Sequence, residues 1–198
     1  QAAIAFLSLF SWYDVMNSVY TGAVATDLLK PMGFFGFWLA QDLGRALASL
    51  LTRGLTIMIV YAAVFDITLP SSLGQCLALG AALGLSWLIS FAWRFLVNLA
   101  AFWTPNAVGV GRLAFSLTWF MSGFLMPLRF FPDWVVQVIY LTPFPHMVNA
   151  FVEVYLGLTT GPALLPLLVG QLLWAVILIG VGQWVLRAGV RRLVIQGG

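Results

Sequence analysis

One cysteine, one histidine and one lysine in 198 residues remove most catalytic chemistries at the outset. Cys76 stands alone in an apolar run, which excludes an internal disulfide and a cysteine metal cluster. With His146 as the sole histidine, two-histidine zinc motifs such as HExxH are excluded too. Lys30 lies in Leu28-Leu29-Lys30-Pro31 with no glycine-rich loop before it. The chain therefore lacks the loop whose backbone N–H groups cradle phosphate ahead of Lys-Ser/Thr, and it cannot hydrolyse ATP by that route. Charge of either sign is scarce, at 8% of residues against about 25% in a soluble domain. Nine Lys+Arg and six Asp+Glu leave a net +3, and the cations are scattered, so nucleic acid has no basic patch to bind.

What the chain has instead is apolar surface. Hydrophobic residues make up 62% of it, with nine Trp and sixteen Phe. A soluble fold of this size leaves roughly 30% of its unfolded surface exposed and could not hide that load. Lipid must be the solvent for much of it, and the expected fold is all-α, a polytopic transmembrane helix bundle in a single domain over 1–198. A spanning helix needs about 20 apolar residues. Charge-poor stretches place a span end at 1–20, then spans at 38–65, 73–103, 107–127 and 163–186, with a tail at 187–198. The chain opens on Gln1 inside an apolar run with no basic lead or cleavage site, which reads as a bundle whose N-terminal part is missing.

The stretch 134–152 is uncharged and long enough to span, but Pro143 and Pro145 would remove backbone donors at its middle. Irregular backbone at bilayer depth is tolerated only where protein buries it. Residues 133–141 and 146–156 are therefore expected as two short helices of a re-entrant hairpin, carrying Asp133, Trp134, Pro143, Pro145 and Glu153. Alternating five spans puts Lys30, Arg45, Arg112, Arg187, Arg191 and Arg192 on one side and Arg129 on the other. The positive-inside rule then makes 14–45 and the C-terminus cytoplasmic and turns the hairpin outward.

Two spans carry polar stripes. At 100° per residue Asp42, Arg45, Ser49, Thr52, Arg53 and Thr56 share one face, and Ser86, Ser90, Arg94 and Asn98 repeat every four residues on the next span. Intramembrane charge is costly and usually turns to the bundle interior or a wet cavity. The stripes read either as a substrate route or headgroup contact, or as arginines that snorkel or pair with Asp42 or a neighbouring subunit. Ser122 and His146 are the one Ser/His combination an intramembrane serine hydrolase could use, a remote alternative because packing and helix capping explain both. A non-transporting scaffold or channel subunit would share the same hydropathy.

Several short runs occur in a telling order: Gly22-Ala-Val-Ala-Thr26-Asp27-Leu28-Leu29-Lys30-Pro31, Phe37-Trp38-Leu-Ala-Gln-Asp42-Leu-Gly44-Arg45, Phe91-Ala-Trp-Arg94-Phe-Leu-Val-Asn98, Phe130-Phe131-Pro132-Asp133-Trp134, Glu153-Val-Tyr155-Leu-Gly157 and Arg191-Arg192. Together, from about residue 20 onward, they resemble the membrane subunit of bacterial ATP-binding-cassette exporters, the type 2 ABC permease family. The resemblance implies six spans in a full-length member. It makes 22–31 the coupling helix that docks in a groove of a separate ATPase, with Asp27 and Lys30 as polar contacts. It also implies two ATPase subunits that bind the ATP and Mg, and a second permease, identical or paralogous. The setting would be the bacterial inner membrane, the chain would carry no cofactor and no catalytic residue, and the cargo would be exported. Few internal charges favour a lipid-like or amphipathic cargo.

Overall fold

The computed structural model describes residues 6–7, 13–64 and 72–192. Of the span end expected over 1–20, residues 1–12 other than Phe6 and Leu7 lie outside them, as do residues 65–71 and the expected tail from 193 to 198. Among the described residues every regular element is helical. The helices are α1 (Asp14–Tyr20), α2 (Val24–Leu28), α3 (Phe34–Ser49), α4 (Leu55–Val64), α5 (Leu73–Asn98), α6 (Ala107–Met121), α7 (Asp133–Tyr140), α8 (Asn149–Tyr155) and α9 (Leu164–Val190). Short 3₁₀ turns extend α5 at Leu99–Phe102 and precede α9 at Gly161–Ala163. The protein is an all-α membrane helix bundle.

Three helices among the described residues are long and apolar enough to cross a bilayer: Phe34–Val64, Leu73–Phe102 and Gly161–Val190, of 31, 30 and 30 residues. The stretch expected as a span over 107–127 folds differently. Its helix stops at Met121, and at about 1.5 Å per residue it falls short of the ~30 Å hydrocarbon core. The stop is local: Gly123 takes φ +81°, a left-handed conformation that only glycine adopts without strain, and turns the chain away.

Helix α5 is the centre of the bundle. Ser72 caps it, its Oγ accepting from the Gln75 amide at 3.1 Å. Ala82, Trp87, Ile89, Phe91, Ala92, Phe95 and Val97 are buried along its length. Its cytoplasmic-expected half packs on α3 through a ring cluster, with Phe35 edge-on to Phe95 at 5.0 Å and to Phe91 at 5.4 Å. The other half meets α8 and α9, burying Phe151, Val154, Ala175 and Leu178 in the same core. Trp93 Nε1 donates to Thr118 Oγ1 at 3.0 Å and holds α6 alongside.

The Phe34–Val64 helix is not uniform. Its first half is anchored by Phe34, Trp38, Asp42 and Ala46, whereas α4 buries no residue. Between the halves, Leu50–Gly54 is a π-helical turn. A wider turn delays the rotation of everything after it. On a straight helix Arg53 would share the face of Asp42; here Arg53, Thr52 and Thr56 are exposed, and Thr52 Oγ1 returns to the Ala48 carbonyl at 2.8 Å.

Candidate functional site

Two arrangements at one end of the bundle concentrate the polar residues. The first is the turn between α1 and α3. Gly22 at φ +76° reverses the chain after α1, and nothing lies within 4 Å of where a Cβ would sit, so its requirement is conformational and not steric. The five-residue α2 then faces two ways. Val24 is buried and Leu28 packs against the core beside Val15, Phe34 and Trp38. Thr26, Leu29, Pro31 and Met32 point outward, Leu29 with 85% of its surface exposed.

Asp27 faces inward. Ser18 Oγ donates to its Oδ2 at 2.6 Å and Lys30 Nζ to its Oδ1 at 2.7 Å. Burial pushes the Asp27 carboxyl up, but the hydrogen bonds from Lys30 and Ser18 and the Lys30 charge outweigh it and hold the group below 3.8. Lys30 Nζ also sits 3.3 Å from the centre of the Phe37 ring. The Asp27 carboxylate is thus used up in tying α2 to α1, and the outward face is carried by Thr26, Leu29 and Met32.

The second arrangement is a buried node between α1, α3 and α5. Arg94 and Asp42, each almost fully buried, pair through two parallel bonds, Nη1 to Oδ1 and Nη2 to Oδ2, both 2.8 Å. This fork-to-fork geometry is the strongest form of such a pair. Trp87 Nε1 adds a third bond to Asp42 Oδ2 at 3.0 Å, and Arg94 Nε donates to the Ser90 carbonyl at 3.2 Å. One turn further, Asn98 Nδ2 donates to the Arg94 carbonyl at 2.7 Å while its Oδ1 accepts from the Met16 amide at 3.0 Å. Met16 lies in the first turn of α1, where backbone donors have no partner within the helix; Asn98 caps α1 from another helix. Arg45 pairs with Asp14 at the start of α1. Both ion pairs border one cavity of about 20 Å³, which Trp38, Phe91 and Phe95 also line.

The same end gathers the turn after α5 and the end of α9. Tyr20 donates to the Thr104 carbonyl at 3.1 Å and accepts from the Ala107 amide at 2.8 Å. Arg192 lies over the Trp103 ring at 5.8 Å. At the far end, α7 and α8 form a hairpin about a 3₁₀ turn at Phe144–His146, with Pro143 and Pro145 buried. Asn149 Nδ2 bridges Tyr140 Oη at 2.9 Å and Glu153 Oε1 at 2.8 Å. Burial, then the Glu153 charge and its hydrogen bond with the phenol, push Tyr140 up to about 12. The His146 carbonyl accepts from Ser86 Oγ and Gln171 Nε2, each at 3.0 Å, and pins the hairpin to α5 and α9.

This is a helical membrane bundle with an outward-facing turn at one end and a proline-broken hairpin at the other. A model of ABC-2 family transporter proteins matches it over residues 3–197. The chain belongs to the ABC-2 transporter family. Comparisons with curated proteins and with solved structures find no match. As a transmembrane subunit of an ABC transporter, an ABC-2 permease works with an ATPase partner and is typically paired with another permease.

Within this permease, Asp42, Arg94 and Asn98 come together in the node and Ser90 joins through its carbonyl; Arg45 borders it through Asp14. Ser49 is half-buried and Arg53 stands apart at the π turn. In the hairpin Glu153 is engaged as above, while Asp133 and Trp134 are exposed at the start of α7. Ser122 Oγ and His146 Nδ1 are both buried without a hydrogen-bond partner, so no Ser–His pair forms. Sequence reasoning left out Asp14, Met16, Ser18 and Trp87. The offset of 31 between Asp14 and Arg45 has no helical meaning, and a backbone amide such as Met16 N leaves no trace in residue type.

Proposed function

We propose that this ABC-2 permease forms part of the translocation pathway for ATP-driven export of an amphipathic or lipid-like substrate. ATPase subunits, two per transporter, dock on the turn over 21–32 and bind the ATP and Mg, and a second permease, identical or paralogous, completes the pathway. The membrane is the bacterial inner membrane, with this turn and the C-terminus in the cytoplasm. One observation carries the reading: a short helix is fixed from behind by Asp27, Val24 and Leu28, and the turn that follows it presents Leu29 and Met32 outward at a bundle end that also holds Lys30, Arg45, Arg191 and Arg192. Exposed apolar side chains held out on an anchored turn can seat in an apolar groove of a partner protein. The clustering of cations there supports the cytoplasmic assignment.

ATP can shift the permease only through differential affinity for two of its states. On this reading the ATPase supplies that difference, and the turn passes it to α1 and α3. The test is affinity purification of the tagged permease from its native membrane. A co-purifying ATPase is expected, and Leu29→Asp is expected to weaken its retention by at least about tenfold. An ATPase retained equally by Leu29→Asp and Thr26→Arg removes the docking assignment.

A further inference from the structure

We infer that Asp42, Arg94 and Asn98 are positioning residues that lock the docking turn to α5, so that α1, α2, the first half of α3 and α5 move as one body. The inference rests on the docking reading for its purpose but not for its geometry. Three kinds of bond converge on one buried spot, and each crosses between helices. The Asp42–Arg94 fork joins α3 to α5, Trp87 closes the third acceptor site on the same carboxylate, and Asn98 holds the first turn of α1 through the Met16 amide. Asn98 also bonds the Arg94 carbonyl, so the clasp on α1 and the fork on α3 are consecutive turns of one helix.

Direction makes the bonds more than cohesive. Apolar contacts between helices in lipid slide easily, because lipid tails are as apolar as leucine and offer equivalent partners. A bidentate pair buried beside Phe91 and Phe95 has a single geometry, and any slide of α3 along α5 strands two charges. The outer hairpin is secured to α5 by a separate set, Ser86, Gln171 and the His146 carbonyl, two turns and more from Arg94. The α5–α9 pair does not depend on the node. Loss of the node should free the docking turn and leave the rest of the bundle in place.

Cys76 is exposed on α5 and is the chain's one cysteine, so a single added cysteine makes a spin-label pair. We would place it at Leu29 to report the docking turn and, separately, at exposed Trp184 to report α9. Pulsed electron paramagnetic resonance is then measured on the full chain in lipid nanodiscs, without any ATPase. The Leu29→Cys pair is expected to give one narrow distance. In Asp42→Leu/Arg94→Met/Asn98→Leu its width should grow about twofold or split, while the Trp184→Cys pair stays unchanged. Asn98→Leu alone serves as the milder variant should the triple variant not fold. An unchanged Leu29→Cys width overturns the inference, and so does equal broadening of both pairs, which would make the node a general brace. Failure of an ATPase to co-purify would remove the docking reading without moving either distance.

Discussion

At the residue scale the energetic weight lies in the Asp42–Arg94 pair. Burying two charges costs several kcal/mol each, recovered only when geometry and further hydrogen bonds satisfy both. Here both carboxylate oxygens and three guanidinium nitrogens are engaged. Arg94→Leu would leave Asp42 charged and buried with Trp87 as its remaining donor, and should destabilise the permease by about 3–5 kcal/mol, whereas Asp42→Leu/Arg94→Met should be close to neutral. Unfolding in mixed micelles with increasing dodecyl sulfate measures both, and equal losses would contradict this account. Asp27 gives a prediction of opposite character, because it lies outside the spans and titrates. Its folded value is lowered below 3.8, so its charged form adds stability above that pH and the gain disappears as the pH falls through the lowered value. Hydrogen exchange of the amides over 22–30 should therefore lose protection as the pH is lowered below about 4, beyond the intrinsic pH dependence, and Asp27→Asn should abolish that transition. In the sequence Asp27 and Lys30 read as polar contacts for an ATPase, whereas in the fold they pair with each other and the Asp27 carboxylate turns inward to Ser18. That inward turn was not legible, because Ser18 sits across a left-handed Gly22 that residue periodicity does not describe.

At the element scale, close approach decides which helices meet. Near its end α9 carries Gly189, and a Cβ there would sit 2.7 Å from the Phe102 ring and 3.2 Å from Phe102 Cβ. Gly180, on the same helix, has nothing within 4 Å. Gly189→Ala should thus force α9 off the turn after α5 at a cost of about 1–3 kcal/mol. Gly180→Ala should be neutral or mildly stabilising, by up to about 1 kcal/mol. Thermal unfolding of both variants tests the contrast; equal melting temperatures would mean the ring simply moves. Glycine content shows in a sequence, but which glycine meets a ring depends on the helix it faces. The same distinction explains the polar stripes. Ser86, Ser90, Arg94 and Asn98 lie on one unbroken α-helix, so their spacing of four translates directly into one buried face. The stripe on Phe34–Val64 crosses a π turn, and a period of 3.6 fails at the point where the hydrogen-bond ladder changes.

At the scale of the molecule, composition alone was enough for the all-α membrane class, since 62% hydrophobic residues with 8% charge admit few other solvents than lipid. The distribution of that apolar surface needed the structure. α5 is buried on much of its circumference, whereas α4 presents Met58, Ile59, Val60 and Val64 outward with no buried residue. A helix apolar all round carries no stripe to say which face meets protein, so neither sequence nor hydropathy distinguishes a lipid-facing α4 from one covered by another chain. The physical expectation follows from the bundle itself. Thr56 Oγ1 donates to the Thr52 carbonyl within its own helix, and α4 buries no residue against the bundle, so lipid tails suit its outward apolar side chains. A spin label at Ile59→Cys, with Cys76→Ser to leave one site, should then show high accessibility to oxygen and low accessibility to a water-soluble nickel chelate, in permease alone and in any assembled transporter. Low values for both reagents in the assembly but not in the permease alone would put a second chain on α4 and move the interface between subunits to the outer half of this helix.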